Sequence, residues 1–238
     1  MKVISILIPA YNEEAYILQV LDRLRTLAWP DEVSTEVLVI DDGSTDRTTD
    51  LVKEFSHKHA GFTLHLHQLP KNQGKGAALR YGIDHAQGDF VLVQDADLEY
   101  DPSDILPLLT PALQGQADVV YGSRFIGNKP HRVLYFWHFV GNRWLTTFTN
   151  LVANLNLTDM ETGYKLIRAP MAKSLKLKEA RFGIEPELTI KLARIPNIRF
   201  YEIGIAYYGR TYAEGKKIGW RDGLRALWCI TYYGIFRQ

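Results

Sequence analysis

The sequence predicts an α/β fold built on a mostly parallel β-sheet. Short apolar runs alternate along the chain with amphipathic stretches of about 10–15 residues, which is the pattern of repeated βαβ units. The runs are almost continuously apolar, as expected for parallel strands that helices cover on both faces. Polar clusters follow four of the five runs, and this places one ligand site at one edge of the sheet.

Five strands are predicted, the third by alternation of apolar and polar residues and the others by apolar runs. Pro9 is expected to end the first strand, and an amphipathic helix is expected from about Glu13 to Leu27. A second helix, capped by Ser44 or Thr45, should follow the second strand and run to about His59. The predicted strands are residues 3–8, 35–40, 62–69, 89–95 and 117–125.

Composition is typical of a soluble globular protein. The 238 residues, 46% of them hydrophobic, suffice for one large domain or two small ones. The single cysteine, Cys229, excludes an internal disulfide and suits a reducing compartment. The first residues do not have the pattern of a signal peptide, and no apolar stretch reaches the roughly 18 residues of a spanning helix.

The net charge of +1 hides an asymmetry between the two parts of the chain. Residues 1–164 carry a net charge of −8 and residues 165–238 a net charge of +9. This division favours a cation site in the acidic part and an anion-binding or membrane-facing surface in the basic part, although ordinary solvated surface would also explain it.

The stretch "FVLVQDADLEY" runs from a buried strand directly into Asp95, Asp97 and Glu99. In an extended chain these three carboxylates would lie on one face and repel one another unless a positive charge compensates them. A hard divalent cation such as Mg²⁺, which takes oxygen ligands and binds phosphates alongside them, is one candidate. The alternative is that Glu99 leaves the strand and Asp97 alone matters.

Three further clusters each allow a functional and a purely structural interpretation. In "DDGSTD", Asp41 or Asp42 could bind a ribose or base, or could simply offset a helix dipole. In "NQGKGAA", Lys75 could bind a nucleobase or ribose beside two glycines, or the segment is a plain turn, since it lacks P-loop spacing. In "YGSRF", Arg124 could grip a phosphate or form a surface ion pair.

Residues 133–155 combine several aromatic side chains with nearby basic residues. Such a helix can lie in a membrane interface, but a helix that packs on the domain core is equally consistent with the pattern.

In their order along the chain these motifs resemble family 2 glycosyltransferases. The segments that carry the resemblance are "SILIPAYNEE", "VLVIDDGSTD", "NQGKGAALRYGI", "VQDADLE", "YGSRF" and "TGYKL". They are most similar to the branch of dolichyl- and polyprenyl-phosphate sugar synthases, of the dolichol-phosphate mannosyltransferase type. The resemblance implies a nucleotide-sugar-binding, Rossmann-like glycosyltransferase A fold with a mixed sheet. It also implies one catalytic domain over residues 1–223 (a donor half, 1–124, and an acceptor half, 125–223), followed by an apolar segment, 224–238.

The resemblance also implies roles for particular residues. Asp97, Arg124 and Arg210 are expected to be catalytic, and Asp95, Asp97 and Glu99 to hold Mg²⁺ or Mn²⁺. The expected donor-binding residues are Pro9, Tyr11, Glu13, Ile40, Asp42, Lys75, Asp95, Ala96, Asp97, Arg124, Arg210 and Lys216.

The expected reaction is inverting transfer of a hexosyl group, of the mannose or glucose type, from a nucleotide-diphosphate sugar to a polyprenyl phosphate at the cytoplasmic membrane face. No nucleic-acid partner is expected. A transferase that acts on a soluble sugar or protein hydroxyl is an alternative. It would need a general base, for which Asp159 and Glu161 are candidates. A non-catalytic nucleotide-sugar sensor is an alternative of another class.

Overall fold

The protein is built around one seven-stranded sheet with strand order β3-β2-β1-β4-β6-β5-β7. The computed structural model describes residues 1–133, 135–211 and 219–236, with no side chain described for Trp220. β6 runs antiparallel to both of its neighbours, and the other strand pairs are parallel. The predicted α/β class and mostly parallel sheet are therefore confirmed.

Strands and helices alternate along most of the chain. The strands are β1 (Lys2–Ala10), β2 (Val33–Asp41), β3 (Leu64–Gln68), β4 (Phe90–Val93), β5 (Val119–Ser123), β6 (Lys165–Arg168) and β7 (Phe200–Gly204). The helices are α1 (Ile17–Thr26), α2 (Thr48–Lys58), α3 (Lys75–His85), α4 (Ile105–Leu113), α5 (Phe136–Ala153), α6 (Ala169–Ser174), α7 (Ile184–Ala193) and α8 (Trp220–Thr231). A 3₁₀ turn, Pro102–Asp104, precedes α4, and a π-helical turn, Tyr232–Phe236, follows α8.

The core consists of two apolar layers, one on each face of the sheet. Along β1, Ile6 and Ile8 point into the layer that α1, α2 and α4 cover, whereas Leu7 points into the layer beneath α3, α6 and α7. Both faces of the central strands are therefore buried, which explains their continuous apolar sequence.

β1 does not end at Pro9, contrary to the prediction. It continues to Ala10, with Pro9 opposite Ile40 of β2. Proline is tolerated here because the pairing of β1 with β4 ends at Leu7, so no strand on that side requires an N–H from Pro9.

The predicted start of α1 at Glu13 and the predicted cap of α2 are also wrong. Asn12 has a left-handed backbone, and the backbone N–H of Glu13 donates to Thr48 Oγ1, 2.9 Å away. Ser44 Oγ accepts from Asn12 N, at 2.9 Å, instead of capping α2. The two loops therefore bind each other, and both helices begin later than their sequences suggest.

Candidate active site

A pocket of about 900 Å³ opens where β1, β2, β4 and β5 end, at the edge that the polar clusters predicted. It extends from the loops after these strands to the facing sides of α5 and α8, where Trp137 and Ala226 lie. Ten of the twelve predicted donor-binding residues line this pocket: Pro9, Tyr11, Glu13, Asp42, Lys75, Asp95, Ala96, Asp97, Arg124 and Arg210.

The other two predicted donor-binding residues, Ile40 and Lys216, are not placed at the pocket. Ile40 is fully buried in the layer beneath α3, because its side chain alternates with that of the neighbouring Asp41 and points into the core. Lys216 lies outside the described residues.

The three carboxylates after β4 do not form an extended row. β4 ends at Val93 and the chain bends from Ala96 onward, so the strand geometry assumed from the sequence is wrong. Asp95, Asp97 and Glu99 nevertheless all line the pocket.

Two cations from distant parts of the chain compensate these carboxylates. Lys75 Nζ lies 2.7 Å from Asp95 Oδ1 and 3.3 Å from Glu185 Oε1. The Arg210 guanidinium donates to Asp97, and its Nε lies 3.4 Å from Glu99 Oε1. The backbone N–H of Arg210 donates to the same Glu99 oxygen, at 2.8 Å.

We call Asp95, Asp97 and Glu99 together the acid row. Their carboxylates still repel one another despite these two cations. Burial, together with the nearby Asp95 and Glu99 carboxylates, raises the pKa of Asp97 to about 7, against the opposing influence of Arg210. Burial alone would lower the pKa of Lys75, but Asp95 and Glu185 more than reverse this and raise it above its usual range. Lys75 is therefore a permanent cation in the pocket.

Asp42 shapes the glycine-rich loop as well as lining the pocket. Its two oxygens accept from Gln73 N, at 2.8 Å, and from Gly74 N, at 2.6 Å. Gly74 has a φ of +101°, and a Cβ there would lie 2.5 Å from the carbonyl oxygen of Ala180. Only glycine fits at this position, and the resulting turn places Lys75 at the start of α3.

Arg124 is held by a buried carboxylate rather than left free at the pocket wall. Its Nε and one Nη each donate to Asp159, both at 2.7 Å. Asp159 is fully buried and also accepts from Asn142 Nδ2, at 3.3 Å. Its carboxylate is occupied by these donors, so Asp159 is poorly placed to act as a general base.

Glu161 lies two residues further along the same loop, but its carboxylate, unlike that of Asp159, is not held by any arginine that the structure describes. It lines the pocket, and its Oε1 is shielded from solvent with no hydrogen-bond partner in the described part of the chain. Burial, reinforced by Glu185 and opposed by Lys165, raises the pKa of this carboxyl to about 7.

Comparison with known proteins identifies the family of the chain. The model of glycosyl transferase family 2 matches residues 5–175, which include every predicted motif from "SILIPAYNEE" to "TGYKL". The chain belongs to glycosyl transferase family 2. The predicted resemblance to this family is therefore confirmed.

Curated relatives include a glycosyltransferase and a polyprenyl-phosphate sugar synthase. The chain is 32% identical to glycosyltransferase AglJ of Haloferax volcanii over 87% of its own length and 63% of the relative's length. It is 26% identical to dolichol-phosphate mannosyltransferase of Pyrococcus furiosus over 90% and 60% of the two chains. The chain thus spans about 60% of the length of these relatives.

Solved structures confirm the glycosyltransferase A fold. Glucosyl-3-phosphoglycerate synthase from Mycobacterium tuberculosis, in complex with Mn²⁺, UDP and phosphoglyceric acid, superposes with a TM-score of 0.73. The two proteins are 22% identical, and the match covers 98% of this chain and 79% of the synthase.

The donor set of the acid row fits a divalent cation, although it does not form a finished metal site. Within the ranges that the structure describes, no three acidic, histidine or cysteine side chains are grouped as metal ligands. Asp95, Asp97 and Glu99 nevertheless supply the carboxylate oxygens that Mg²⁺ and Mn²⁺ take. The raised pKa of Asp97 indicates that the row would accept further positive charge.

An exposed, mainly aromatic surface borders the pocket on α5, on α8 and on the π-helical turn that follows α8. We call it the aromatic surface; it consists of Phe136, Trp137, Phe139, Trp144, Trp228, Ile235 and Phe236. Trp137 is 77% exposed and Phe236 76% exposed. The second half of α5 packs on an apolar cluster with α7 and α8 through Leu145, Phe148 and Val152. Packing on the core therefore accounts for this half of the helix, but not for the exposed aromatic side chains of its first half. Among the described helices, none is long and apolar enough to cross a bilayer.

Several residues of the site were not identified from the sequence. Glu185 at the start of α7 and Lys165 of β6 pair with each other, and Glu185 also contacts Lys75. Tyr207 lies 5.1 Å beneath the Arg124 guanidinium and donates from its hydroxyl to Glu99, at 3.1 Å. The two glutamates of "GIEPEL", Glu185 and Glu187, can be seen in the sequence, but nothing in the neighbouring residues indicates that Glu185 lies at the pocket.

Proposed function

We propose that this glycosyltransferase moves a hexosyl group, with inversion, from a nucleotide-diphosphate sugar to a polyprenyl phosphate, with Mg²⁺ or Mn²⁺ as cofactor. The observation that carries the proposal is the shape of the pocket. One end is formed by the acid row with Lys75 and Arg210, and the other end opens beside the aromatic surface on α5.

The first end suits a nucleotide diphosphate. Asp95 and Asp97, with Glu99, would hold the cation, which when bound would stabilise the negative charge that develops on the leaving nucleoside diphosphate. Lys75 and Arg210 place two positive charges at the same carboxylates and would attract the diphosphate. Arg124, beside Asp159, adds a third cation in the pocket wall.

The described carboxylates favour a phosphate acceptor over a hydroxyl. A sugar hydroxyl needs a general base, whereas a phosphate is already an anion near neutral pH. Asp159 is occupied by Arg124, and the acid row is occupied by Arg210 and Lys75. Among the acidic side chains that line the described part of the pocket, Glu161 is the one whose buried oxygen has no hydrogen-bond partner.

The aromatic surface favours an acceptor that is delivered from a membrane. Tryptophan and phenylalanine side chains exposed on one helix are typical of segments that lie in a membrane interface. Because Trp137 belongs both to this surface and to the pocket lining, a lipid phosphate would reach the pocket without leaving the interface. This supports a peripheral position on the cytoplasmic membrane face.

One observation favours a second candidate, transfer to a hydroxyl acceptor. With its pKa raised to about 7, Glu161 has the basicity that a general base needs near neutral pH. Replacing a general base typically slows a reaction by about 10²–10⁴-fold, so the rate of Glu161→Gln separates the two candidates.

The proposal is tested by incubating the protein with a panel of radiolabelled nucleotide sugars, divalent cation and membranes. Label in an organic-extractable product that mild acid releases would support a sugar linked to a lipid phosphate. Label that stays on a water-soluble acceptor would contradict the proposal and favour the second candidate. Donor hydrolysis without acceptor would already exclude a non-catalytic sensor.

A further inference from the structure

The Glu161 carboxyl occupies a middle position along the pocket. Two residues before it, Asp159 accepts from Asn142 of α5. Two residues after it, Gly163 lies so close to the acid row that a Cβ would stand 2.3 Å from Asp95 Oδ2. The loop that carries Glu161 therefore crosses from the acceptor side of the pocket to the diphosphate side. A sugar that passes between the two substrates would lie beside this crossing.

The charges around Glu161 are already balanced without it. Three cations pair with three carboxylates on this side of the pocket: Lys75 with Asp95 and Glu185, Lys165 with Glu185, and Arg124 with Asp159. Glu161 is a fourth carboxyl, and no salt bridge to it exists among the described residues. Its Oε1 is buried and accepts no hydrogen bond from any residue that the structure describes.

A buried acceptor without a donor is costly unless a ligand supplies one. A further anion would be repelled by the ionised form of Glu161, because the three cations named above are already paired. A divalent cation would need several oxygen ligands, and no such group is formed in the described part of the chain. A neutral hydroxyl group satisfies Oε1 whether the carboxyl is ionised or protonated, since both forms accept hydrogen bonds.

We propose that Glu161 binds a hydroxyl group of the transferred sugar and selects a neutral hexose over the corresponding uronic acid. This inference rests on the proposed function, because it assumes that the sugar of the donor lies in the middle of the pocket. A hexose is small, so a carboxylate on the sugar would lie close to ionised Glu161, and Lys75, Lys165 and Arg124 are already paired with other carboxylates.

The test compares the binding of nucleotide sugars with that of their nucleoside diphosphates, by calorimetry with Mn²⁺ present. Matched probes are UDP with UDP-glucose and UDP-glucuronate, and GDP with GDP-mannose and GDP-mannuronate. In the parent protein the accepted hexose should strengthen binding beyond the bare diphosphate. In Glu161→Ala the affinity for the nucleotide hexose should fall by about 10- to 100-fold, as expected when a hydrogen bond to a charged group is lost. The affinity for the bare nucleoside diphosphate should stay unchanged.

Glu161→Gln separates hydrogen bonding from charge. The amide oxygen still accepts from a hydroxyl, so hexose binding should fall by less than about tenfold. The repulsion of a uronate is removed, so the preference for hexose over uronate should shrink by about tenfold or more, as expected for like charges in a partly buried site. Glu54→Gln and Glu54→Ala, on the exposed face of α2, are matched controls that should bind every probe like the parent.

Two results would overturn the inference while leaving a nucleotide-sugar site in place. One is an unchanged hexose increment in Glu161→Ala together with an unchanged hexose-to-uronate preference in Glu161→Gln. The other is a loss of turnover of 10²–10⁴-fold in Glu161→Gln with donor binding intact, which would identify Glu161 as a general base. If the hexose adds nothing to binding in the parent protein, the proposed function fails together with the inference.

Discussion

Lys75 Nζ lies 2.7 Å from Asp95 Oδ1, so the first residue of α3 neutralises the first carboxylate after β4. Gly74 makes this contact possible by turning the chain so that α3 begins at the pocket. Arg210 does the same for Asp97 from the segment after β7. The chain itself thus supplies part of the positive charge that these carboxylates require, and a divalent cation would have to compete with Lys75 and Arg210 for the same oxygens.

We expect Asp97→Asn to abolish metal-dependent transfer while the fold remains intact. Loss of a metal ligand should cost several kcal/mol of transition-state stabilisation. Folding should not suffer much, because burial and like charges already disfavour the ionised form of Asp97. Turnover should be measured against Mg²⁺ and Mn²⁺ concentration, with the exposed Asp84→Asn on α3 as control. Normal turnover of Asp97→Asn at saturating metal would exclude Asp97 as a ligand.

Asp159→Asn should destabilise the protein, whereas Glu161→Gln should not. Asp159 holds the Arg124 guanidinium through two hydrogen bonds of 2.7 Å, and removing one partner of a buried ion pair typically costs about 3–5 kcal/mol. Glu161 has no ion-pair partner to lose among the residues that the structure describes. Denaturant unfolding of the two variants measures the difference directly. Equal stability would show that the Arg124–Asp159 pair contributes nothing to folding.

The stability of the protein should depend on pH through Glu161. Burial raises its pKa from 4.5 to about 7, so the folded state binds the proton more tightly than the unfolded state does. The contribution of Glu161 to the free energy of unfolding is therefore largest below pH 4.5. It declines as the pH rises to about 7 and is constant above that. Unfolding of parent and Glu161→Gln at pH 5 and pH 8 should show the parent losing stability relative to the variant. A difference independent of pH would mean that Glu161 titrates normally.

Gly163→Ala should impair both stability and activity. An added Cβ would lie 2.3 Å from Asp95 Oδ2 and 2.8 Å from the Tyr100 ring, so the acid row would have to move. We expect a loss of about 1–3 kcal/mol, typical of overpacking, and weaker donor binding. Gly61→Ala, where no atom lies within 4 Å of an added Cβ, is the control. Full donor affinity in Gly163→Ala would show that the position of Asp95 is not critical.

Membrane binding should depend on the aromatic surface. Trp144 is 55% exposed on α5 and does not line the pocket, so Trp144→Ala should weaken binding to anionic liposomes while donor binding persists. Tyr201→Ala, which removes a 42% exposed aromatic side chain on β7, is the matched control. Sedimentation with liposomes distinguishes the two. If both variants bind like the parent, α5 is not a membrane contact.

The sequence predicted β1, β2, β4 and β5 because their apolar runs are buried on both faces, and it predicted β3 because apolar and polar residues alternate along it. It did not predict β6, which has four residues, or β7, a half-exposed strand at the edge of the sheet. These two strands are recognised only through pairing with β5, and such pairing leaves no local periodicity.

In the candidate site too, residues of one short segment could be predicted from the sequence, whereas contacts between distant segments could not. The position of the acid row after β4 was readable from one short segment. Its partner Arg210 lies 113 residues further along the chain from Asp97, and no local pattern joins the two. Asp159 and Glu161 looked equivalent in "TDMETGYK", yet the loop buries one against Arg124 and points the other into the pocket.

The most direct test of the account offers three acceptors together to the protein with its accepted donor and Mn²⁺. These are a polyprenyl phosphate, the corresponding polyprenol, and a soluble sugar. Mass spectrometry and NMR identify the product and its anomeric configuration. We expect the hexose on the phosphate oxygen of the lipid, with the configuration at the anomeric carbon inverted. A hexose on a hydroxyl group, or one with retained configuration, would contradict the account.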